Sequence, residues 1–388
     1  MKKIVITALT LILVNLMLAQ NIKTVEVIGV GFGSTDKEKR DNAIEDAYRL
    51  AVGQASGVAL ESMTEVKNFI TLKDAICTRT KGYIKSFKII KEASLGEKYE
   101  VTMSADVSLE PIKADAKILS EMIGGVNFIV IYDARNFSPA ENEIYQYTYE
   151  RINEKLGEKG YERTEAALYN EFIEELNKES ENSFLQKIGL HSKREFIIQI
   201  KKITIKSEIK ARGLIASKAI MEIKTYDNCN WRAIGTSEIQ GDWEINADQD
   251  RSVKAAIANT INTQIDRLLS QFTRDIGTWV EKGAPYELRF YSFDVDDNDM
   301  LSFAGKIAED VNTVGDPLFE AVDEYFKLEI RSKSTQFKVM TLVNNSFNAV
   351  ENFKRRFPTR EMIYGRQLVY TPKGIKNPEV EEMKSILK

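Results

Sequence analysis

The segment GVGFGSTDKE, residues 29–38, decides how the N-terminal part of this chain is interpreted. It ends a short apolar stretch with the alternation of a β-strand, and a helix-forming run begins directly after it. A strand that passes through spaced glycines into a helix is also the pattern of a nucleotide-binding turn. The segment is therefore either a phosphate loop, which would favour an enzyme, or a structural corner.

The spacing of the glycines does not fit a nucleotide-binding loop. The dinucleotide fingerprint has glycines at positions one, three and six, and position six after Gly29 and Gly31 is Ser34. A Walker loop would need Gly-Lys-Ser/Thr, which does not follow. Glycine also permits a bulge or a positive φ where a strand turns into a helix. We therefore interpret Gly29, Gly31 and Gly33 as a structural corner and predict no cofactor.

The helix after the corner carries its own start signal. Thr35 and Glu38 have the spacing of a capping box, in which the hydroxyl and the carboxylate satisfy free backbone N–H groups. Small residues recur on one stripe from Ala43 onward, which indicates close contact with a sheet. The helix is expected to end near Gly57, with a strand over residues 58–66 after it.

Two further strands complete a predicted N-terminal domain over residues 21–112. One begins at Gly82, and the other covers residues 99–109 with apolar and polar residues in strict alternation. Such alternation is typical of an antiparallel strand with one buried face. Gly82 joins Thr35, Glu38 and the three glycines as a residue of predicted structural importance.

The order of these elements resembles the N-terminal domain of flagellar assembly protein T (FlgT) and related exported proteins. The resemblance covers residues 22–110 and is carried by Gly29-Val-Gly31, the helix through Ala43 and Ala47, Ser62-Met-Thr64-Glu-Val66, Gly82-Tyr-Ile84 and Tyr99-Glu-Val101. Members of that family are structural or assembly factors of the cell envelope. The resemblance implies an exported, non-enzymatic protein and supplies no catalytic residue.

A second domain is predicted over residues 113–283, with strands and helices arranged as an α/β sandwich. Residues 128–131 form a short apolar strand, a helix begins at Pro139, and a hairpin turns at Tyr226-Asp227. A long helix then covers residues 248–282, and its apolar stripe favours a position across the sheet. This order resembles the TolB N-terminal and CsgG-like α/β domains, which implies a periplasmic module.

A third, small βαββα domain is predicted over residues 284–357. Strands are expected around residues 325–330 and 336–343, and a helix around residues 346–356. Units of this kind recur in envelope assemblies as modules of subunit contact, which is an association at the level of fold only.

A basic C-terminal tail is predicted over residues 358–388. Residues 351–388 contain nine Lys or Arg and five Glu. A solvated surface tail is the simplest interpretation. The alternative is a segment that makes weak contact with an acidic partner or an anionic lipid.

An acidic loop near the start of the third domain imitates an EF-hand calcium loop. Asp294, Asp296 and Asn298 occupy its first, third and fifth positions. However, the required glycine at position six is Asp299, and the required glutamate at position twelve is Gly305. We therefore predict a helix-capping loop and no metal site.

The N-terminus and the charge indicate an exported protein. Met1-Lys2-Lys3 precedes an apolar run to Ala19, the pattern of a secretory signal peptide over residues 1–20. Without the two lysines the net charge changes from −4 to −6, which argues against nucleic-acid binding. No other stretch approaches membrane-spanning length, so we expect no transmembrane span in the mature chain.

The residues that usually carry catalysis are few. His191 is the only histidine and lies in a polar segment, which favours a surface position. Cys77 and Cys229 are expected to be separate thiols, buried or partly buried, and one histidine with two cysteines does not make a zinc site. The 58 carboxylates leave a paired-carboxylate hydrolase open, although none stands out by position.

Together these features predict an α+β fold, with three small α/β sandwich-type domains in series after a signal peptide. We expect a non-enzymatic protein in the periplasm, or associated with the outer membrane, of a Gram-negative bacterium. It would act as a structural or assembly module through sheet edges and exposed faces that contact envelope proteins or a second copy. Two alternatives stay open: a periplasmic protein that binds a ligand or glycan, and a carboxylate-based hydrolase.

Overall fold

The computed structural model describes residues 21–63, 69–122, 128–134, 137–159, 161, 187, 189–294, 296–322, 325–355 and 357–387. Helices alternate with mainly antiparallel sheets, which confirms the α+β fold class. Contacts within the chain define two compact units that divide after Glu121. The predicted signal peptide lies outside the described residues.

The first unit is built on a three-stranded antiparallel sheet, the N-terminal sheet, in the order β1-β3-β2. Its strands are β1 (Ile22–Phe32), β2 (Ile84–Leu95) and β3 (Lys98–Ser108). Helix α1 (Asp36–Glu61) packs on β1 and β3 and covers one face. The alternation predicted for β3 is confirmed, because every second residue is buried: Val101, Met103, Ala105 and Val107.

Helix α1 is longer than the sequence suggested. It continues past Gly57, so the strand expected over residues 58–66 is wrong where the structure describes that segment. Ala55 and Ala59 lie four residues apart and are fully buried, which extends the buried stripe beyond the glycine. This burial outweighs the low helix propensity of one glycine. Two shorter helices follow, α2 (Phe69–Cys77) and α3 (Leu109–Met122).

The second unit contains two sheets, of which the first, the middle sheet, has the order β4-β5-β6-β7 with β8 also paired to β6. The strands are β4 (Phe128–Ile131), β5 (Phe196–Ile209), β6 (Ile215–Asp227), β7 (Arg232–Gln240) and β8 (Glu244–Asn246). β4 is parallel to β5, and the other pairs are antiparallel. The short apolar strand expected from the sequence is present. The expected hairpin is present too, but its turn follows Asp227, because Tyr226 and Asp227 both lie in β6.

Two contacting helices pack on the middle sheet. α4 (Pro139–Glu158) starts at a capping box formed by Ser138 and Glu141. α5 (Gln249–Lys282) is capped by Asp248 and packs along β6, β7 and β8. The predicted position of the long helix across the sheet is confirmed.

The second sheet of this unit, the C-terminal sheet, has the order β10-β11-β9-β13-β12. Its strands are β9 (Ala284–Tyr291), β10 (Leu318–Val322), β11 (Tyr325–Ser332), β12 (Pro358–Tyr364) and β13 (Gln367–Pro372). The helices that follow along the chain are α6 (Asp297–Ala308), α7 (Gln336–Ser346), α8 (Glu351–Arg355) and α9 (Pro378–Leu387). One face packs an aromatic core whose rings contact one another: Phe290, Phe303, Phe347, Phe353 and Tyr370.

Residues 358–387 are not a solvated tail. β13 lies between β9 and β12, and all six of its residues are buried. From α9, Val380 and Met383 join the same apolar cluster as Tyr291 of β9. The segment was expected to be solvated because it is basic overall, so the strand Gln367–Pro372 was not predicted. Its continuous burial is typical of a strand enclosed on both faces.

The strand expected over residues 336–343 is wrong, since these residues lie in α7. The hydroxyl of Thr335 accepts a hydrogen bond from the backbone N–H three residues further on, at 3.3 Å. Val339 and Val343 are buried at helical spacing. The cap and this spacing favour a helix over a strand. The other expected strand, over residues 325–330, is confirmed as β11.

The two sheets of the second unit are joined without a linker. α5 ends at Lys282, Gly283 adopts a φ of 70°, and β9 begins at Ala284. Most of the two domains predicted over residues 113–283 and 284–357 therefore belongs to one compact unit.

Candidate functional site

The predicted glycine corner is the place where α1 contacts β1 most closely. A Cβ on Gly29 would lie 2.1 Å from the carbonyl oxygen of Ala43, and one on Gly31 would lie 1.9 Å from that of Lys39. None of the three corner glycines has a positive φ. Glycine is therefore required for the close approach of two backbones, and the bulge or positive φ suggested by the sequence is not the reason.

The start of α1 differs slightly from the predicted capping box. The hydroxyl of Thr35 accepts from the N–H of Glu38 at 3.2 Å, but the Glu38 carboxylate accepts from the N–H of Ser34, at 2.7 Å. A Cβ on Gly33 would lie 2.7 Å from the Glu38 side chain, which folds over this glycine. The structure thus brings the corner glycines, Thr35 and Glu38 together in one corner.

The remaining residues singled out by sequence lie apart from this corner. Gly82 ends a 3-10 turn before β2, and a Cβ there would meet no atom within 4 Å. His191 is half-buried rather than fully at the surface. Both cysteines are free thiols as expected, and burial raises the pKa of Cys77 to about 11 and that of Cys229 well above its usual value. Such thiols are poor nucleophiles at neutral pH.

The acidic loop before α6 caps that helix, as predicted. The Asp296 carboxylate accepts a hydrogen bond from the N–H of Asp299 at 2.9 Å. Within the described residues, no group of three or more His, Cys, Asp or Glu is arranged to hold a metal ion. In the same part of the chain, no helix combines the length and apolarity needed to cross a membrane.

The face of the N-terminal sheet opposite α1, here called the open face, is exposed. Strand register arranges its side chains in rows across β1, β3 and β2. The first three rows are Phe32-Lys98-Leu95, Val30-Glu100-Ala93 and Ile28-Thr102-Lys91. Ile28, Phe32 and Leu95 are exposed large apolar residues, so this end of the open face is its apolar half.

The other end of the open face is polar. Thr24 and Ser86, on the two outer strands, both donate hydrogen bonds at 2.7 Å to the carboxylate of Asp106 on the central strand. These two bonds lower the pKa of Asp106, with Ser86 contributing more. The open face is thus divided into an apolar half and a polar, internally bonded half.

A group of buried charges joins the two sheets of the second unit. Arg366, in the turn between β12 and β13, donates two hydrogen bonds to the Asp227 carboxylate at the end of β6, at 2.7 and 2.9 Å. It also donates to the carbonyl of Pro285 at 3.2 Å and lies 3.4 Å from the carboxylate of Glu195. The guanidinium lies 4.6 Å from the centre of the Trp279 ring. These residues, together with Tyr364, form what we call the sheet-joining network.

The charges of this network are compensated internally. Burial alone would lower the pKa of Arg366, but Asp227, Cys229 and Glu195 raise it well above its usual value. Burial raises the pKa of Glu195, and the charge of Arg366 opposes that rise. Arg366 and Asp227 therefore form a bidentate ion pair, the geometry that best offsets the loss of hydration.

Tyr364 fixes the same turn through its hydroxyl group. The hydroxyl accepts from the side-chain amide of Asn228 at 2.8 Å and donates to the carbonyl of Arg194. The next residue, Gly365, has a φ of 50°, and a Cβ there would lie 2.6 Å from the sulfur of Cys229. The turn between β12 and β13 is thus inserted against the end of β6 and the residues before β5.

In the described part of the chain, two clefts lie beside the middle sheet. One, of about 250 Å³, lies at the carboxyl end of β4 and near the start of β5, and it is lined by Asp133, Phe137, Gln199, Ile200 and Lys201. The other, of about 320 Å³, lies between α4 and α5 and is lined mainly by apolar residues, with Lys254 paired to Glu143 and Asp250 at its edge. The first cleft is lined by several polar side chains, which favours it over the second as a site for a polar ligand.

Sequence reasoning does not find the sheet-joining network. It places Asp227 in a hairpin turn and Arg366 in a tail, and 139 positions separate the two. One signal was available: Arg366 stands between the apolar strands β12 and β13, and an arginine enclosed by such strands needs an anionic partner. The identity of that partner comes only from the tertiary structure.

No protein-family model matches this chain, and no curated protein sequence matches it.

Proposed function

We propose that this protein is a non-enzymatic, exported envelope protein that acts as a structural or assembly module through protein–protein contacts. The observation that carries the proposal is the apolar half of the open face, where Ile28, Phe32 and Leu95 are exposed opposite the face covered by α1. A sheet face in contact with water is usually polar. Exposed apolar residues that lie near one another on such a face, as Ile28 and Phe32 do along β1, are a candidate for contact with another protein.

The two charges within this area are paired with each other. Lys98 and Glu100, on the central strand, form an ion pair at 2.7 Å between the exposed apolar residues of the outer strands. Lys91 borders them in the third row. A charged pair between apolar residues is compatible with an interface, because protein–protein contacts also contain polar groups that are paired with one another.

Side chains of α1 favour binding to the face over addition of a strand at the β1 edge. The N–H of Val30 donates to the Asp46 carboxylate at 3.0 Å, and the side-chain amide of Asn42 donates to the carbonyl of Phe32 at 2.6 Å. These backbone groups would otherwise pair with an added strand. The partner is therefore expected to cover the side chains of the open face.

The buried charges of the second unit support a structural role. The side chains of Arg366 and Asp227 are 4% and 0% exposed and bond each other. A catalytic group must reach the reacting atoms of a substrate. The network instead holds the middle and C-terminal sheets together, as expected of a module that must keep a fixed surface.

The test is site-specific photo-crosslinking in the cells that make the protein. A photoreactive residue at position 32, in the apolar half, should crosslink to an envelope protein or a second copy in the envelope fraction. The matched control is position 88, since Lys88 is exposed in the polar part of the same face. Recovery of a lone soluble monomer from both positions would contradict the proposal.

A second candidate, binding of a small polar ligand, is favoured by the cleft at the carboxyl end of β4 and near the start of β5. Asp133, Gln199 and Lys201 bring opposite charges and an amide to a volume of about 250 Å³. Convergent polar groups of this kind fix the orientation of small ligands. A sugar or amino-acid ligand should raise the melting temperature of the wild type but not of Lys201→Ala. Failure of a broad ligand panel to shift the wild type would exclude this candidate.

A further inference from the structure

The hairpin of β5 and β6 extends well beyond β4. β4 pairs with only the first four residues of β5, whereas β5 and β6 stay paired as far as Ile209 and Ile215. β8 joins β6 at this far end. We call residues 206–218 together with residues 243–246 the hairpin apex.

The hairpin apex exposes large apolar side chains. Ile209, the last residue of β5, is 82% exposed. Three more apolar residues of the apex are exposed: Leu214, Trp243 and Ile245. They belong to the loop, to the residue before β8 and to β8, so the apolar surface surrounds the end of the hairpin. Exposure of this kind is unfavourable in water and indicates a contact surface.

The same apex carries an excess of positive charge. Its hairpin part contains four cations and one anion: Lys206, Lys210, Arg212, Lys218 and Glu208. Lys210 pairs with Glu208 and lies 5.9 Å from the centre of the Trp243 ring. Asp242 and Glu244 flank Trp243 in sequence, so the excess of cations is on the loop and not on β8.

The backbone of the apex holds Arg212 in an unfavourable conformation. Arg212 has a φ of 63° and Gly213 a φ of 73°. Both lie in the five-residue loop between Ile209 and Ile215, and a positive φ is adopted readily by glycine and sometimes by asparagine. An arginine has no local hydrogen bond that favours the left-handed region, and residues strained in this way cluster at functional sites. Here the strained residue is itself a cation, Arg212, in the turn of the hairpin.

We propose that the hairpin apex docks on an anionic lipid surface. Ile209 and Leu214 would enter the boundary between headgroups and acyl chains, with Trp243 at the depth where tryptophan is enriched. Lys210 and Arg212 would contact lipid phosphates.

A lipid surface fits the apex better than a protein partner does. A stable protein–protein contact involves about 20–30 residues on each side, whereas the exposed large apolar residues of the apex are the four named above. An interfacial anchor needs only a few apolar side chains beside cations. The inference adds a lipid contact to the protein contact proposed for the open face, and it rests on different residues.

The first test measures partition of the full chain onto vesicles of phosphatidylcholine with phosphatidylglycerol. Ile209→Ser combined with Leu214→Ser should lower the partition coefficient roughly tenfold, because apolar area no longer leaves water. The matched control is Phe337→Ser, since Phe337 is 72% exposed on α7, outside the apex, and its loss should leave partition unchanged. All variants share residues 1–20, so any contribution of that segment cancels.

The second test uses Arg212→Asn, which removes the cation but suits the left-handed turn. Its melting temperature should equal or exceed that of the wild type, since asparagine tolerates this conformation. Its partition onto the anionic vesicles should fall about fivefold. On vesicles of phosphatidylcholine alone, the two proteins should bind equally.

A local readout identifies the contact. Brominated lipids should quench the fluorescence of the wild type more than that of Trp243→Phe, which lacks the apex tryptophan. Equal partition of the wild type and both apex variants would overturn the proposal. So would unchanged partition with reduced self-association in sedimentation velocity, which would assign the apex to a protein contact.

Discussion

The N-terminal sheet and the C-terminal sheet differ in how many of their faces the protein covers. In β3, every second residue is buried and the residues between are half-buried. In β9 and β13, every residue is buried, and helices or other parts of the chain pack on both faces. Alternation along a strand therefore marks a face left for water or a partner, and continuous burial marks an enclosed sheet.

The two sheets also differ in the burial of their ion pairs. On the open face, Lys98 and Glu100 pair in contact with water, and such surface pairs add little stability. In the enclosed sheet, Glu287 and Arg289 of β9 pair at 2.6 Å with both side chains buried. Removal of one partner from a buried pair leaves an uncompensated charge. Mutations should therefore act very unequally in the two regions.

The largest expected effect is that of Arg366→Ala. The change leaves Asp227 buried without its bidentate partner and should lower the free energy of unfolding by about 3–5 kcal/mol. Urea unfolding followed by tryptophan fluorescence measures it, since all three tryptophans belong to the second unit. The control is Arg360→Ala, an exposed arginine on β12. Equal losses in both variants would refute a structural role for the network.

The second effect, Gly31→Val, tests the corner of the N-terminal sheet. The added side chain would clash with the backbone of α1, so the first unit should lose about 2–3 kcal/mol. Hydrogen exchange of β1 and β3 measures the loss, and Gly82→Ala is the control because a Cβ there meets no atom. Added ATP or NAD should leave the melting of the wild type unchanged. A clear thermal shift would restore the phosphate-loop interpretation.

A third and smaller effect concerns pH. Burial raises the pKa of Glu195, so the folded state favours its protonated form. The stability that this residue contributes is present below its unfolded pKa and is lost as the pH rises through the raised folded-state pKa. Glu195→Gln should flatten that part of the stability profile, measured by urea unfolding at a series of pH values. Identical profiles for the two proteins would show that Glu195 has no part in it.

The smallest effect separates the two faces of the N-terminal sheet. Phe32→Ser, on the open face, should change stability by less than about 0.5 kcal/mol. Val101→Ser, on the face beneath α1, places a hydroxyl among apolar groups and should cost about 2 kcal/mol or more. Thermal unfolding compares the two. A large loss for Phe32→Ser would mean that the open face is part of a core.

Sequence patterns predicted the elements that are determined by residues close to one another in the chain. The alternation in β3, the capping hydroxyl of Thr35 and the apolar stripe of α5 depend on neighbours within a few residues, and each is present. Strand β13 was not predicted, because its burial on both faces depends on contacts with β9 and α9 and not on a pattern in its own sequence. Alternation of apolar and polar residues reveals a strand with one buried face. A strand that is buried on both faces has no such alternation and is harder to recognise.

The candidate sites were harder to predict than the fold. The corner glycines were recognised, but the reason for them, contact with the backbone of α1, depends on a distance that sequence does not contain. The exposure of Ile28 and Phe32 required the register of β1 with β3. The hairpin apex could not be predicted for a similar reason. The positive φ of Arg212 is imposed by the turn and is not a conformation that arginine favours.

Helix α5 also fixes a distance. Near its start, the hydroxyl of Ser252 donates to the carbonyls of Ile215 and Glu244 at the hairpin apex, and near its end Trp279 lies beneath Arg366. The helical segment between these two residues spans roughly 40 Å at 1.5 Å per residue. The helix therefore separates the proposed lipid contact at the apex from the sheet-joining network by this length along its axis. The direct junction at Gly283 means that the separation does not depend on a flexible linker.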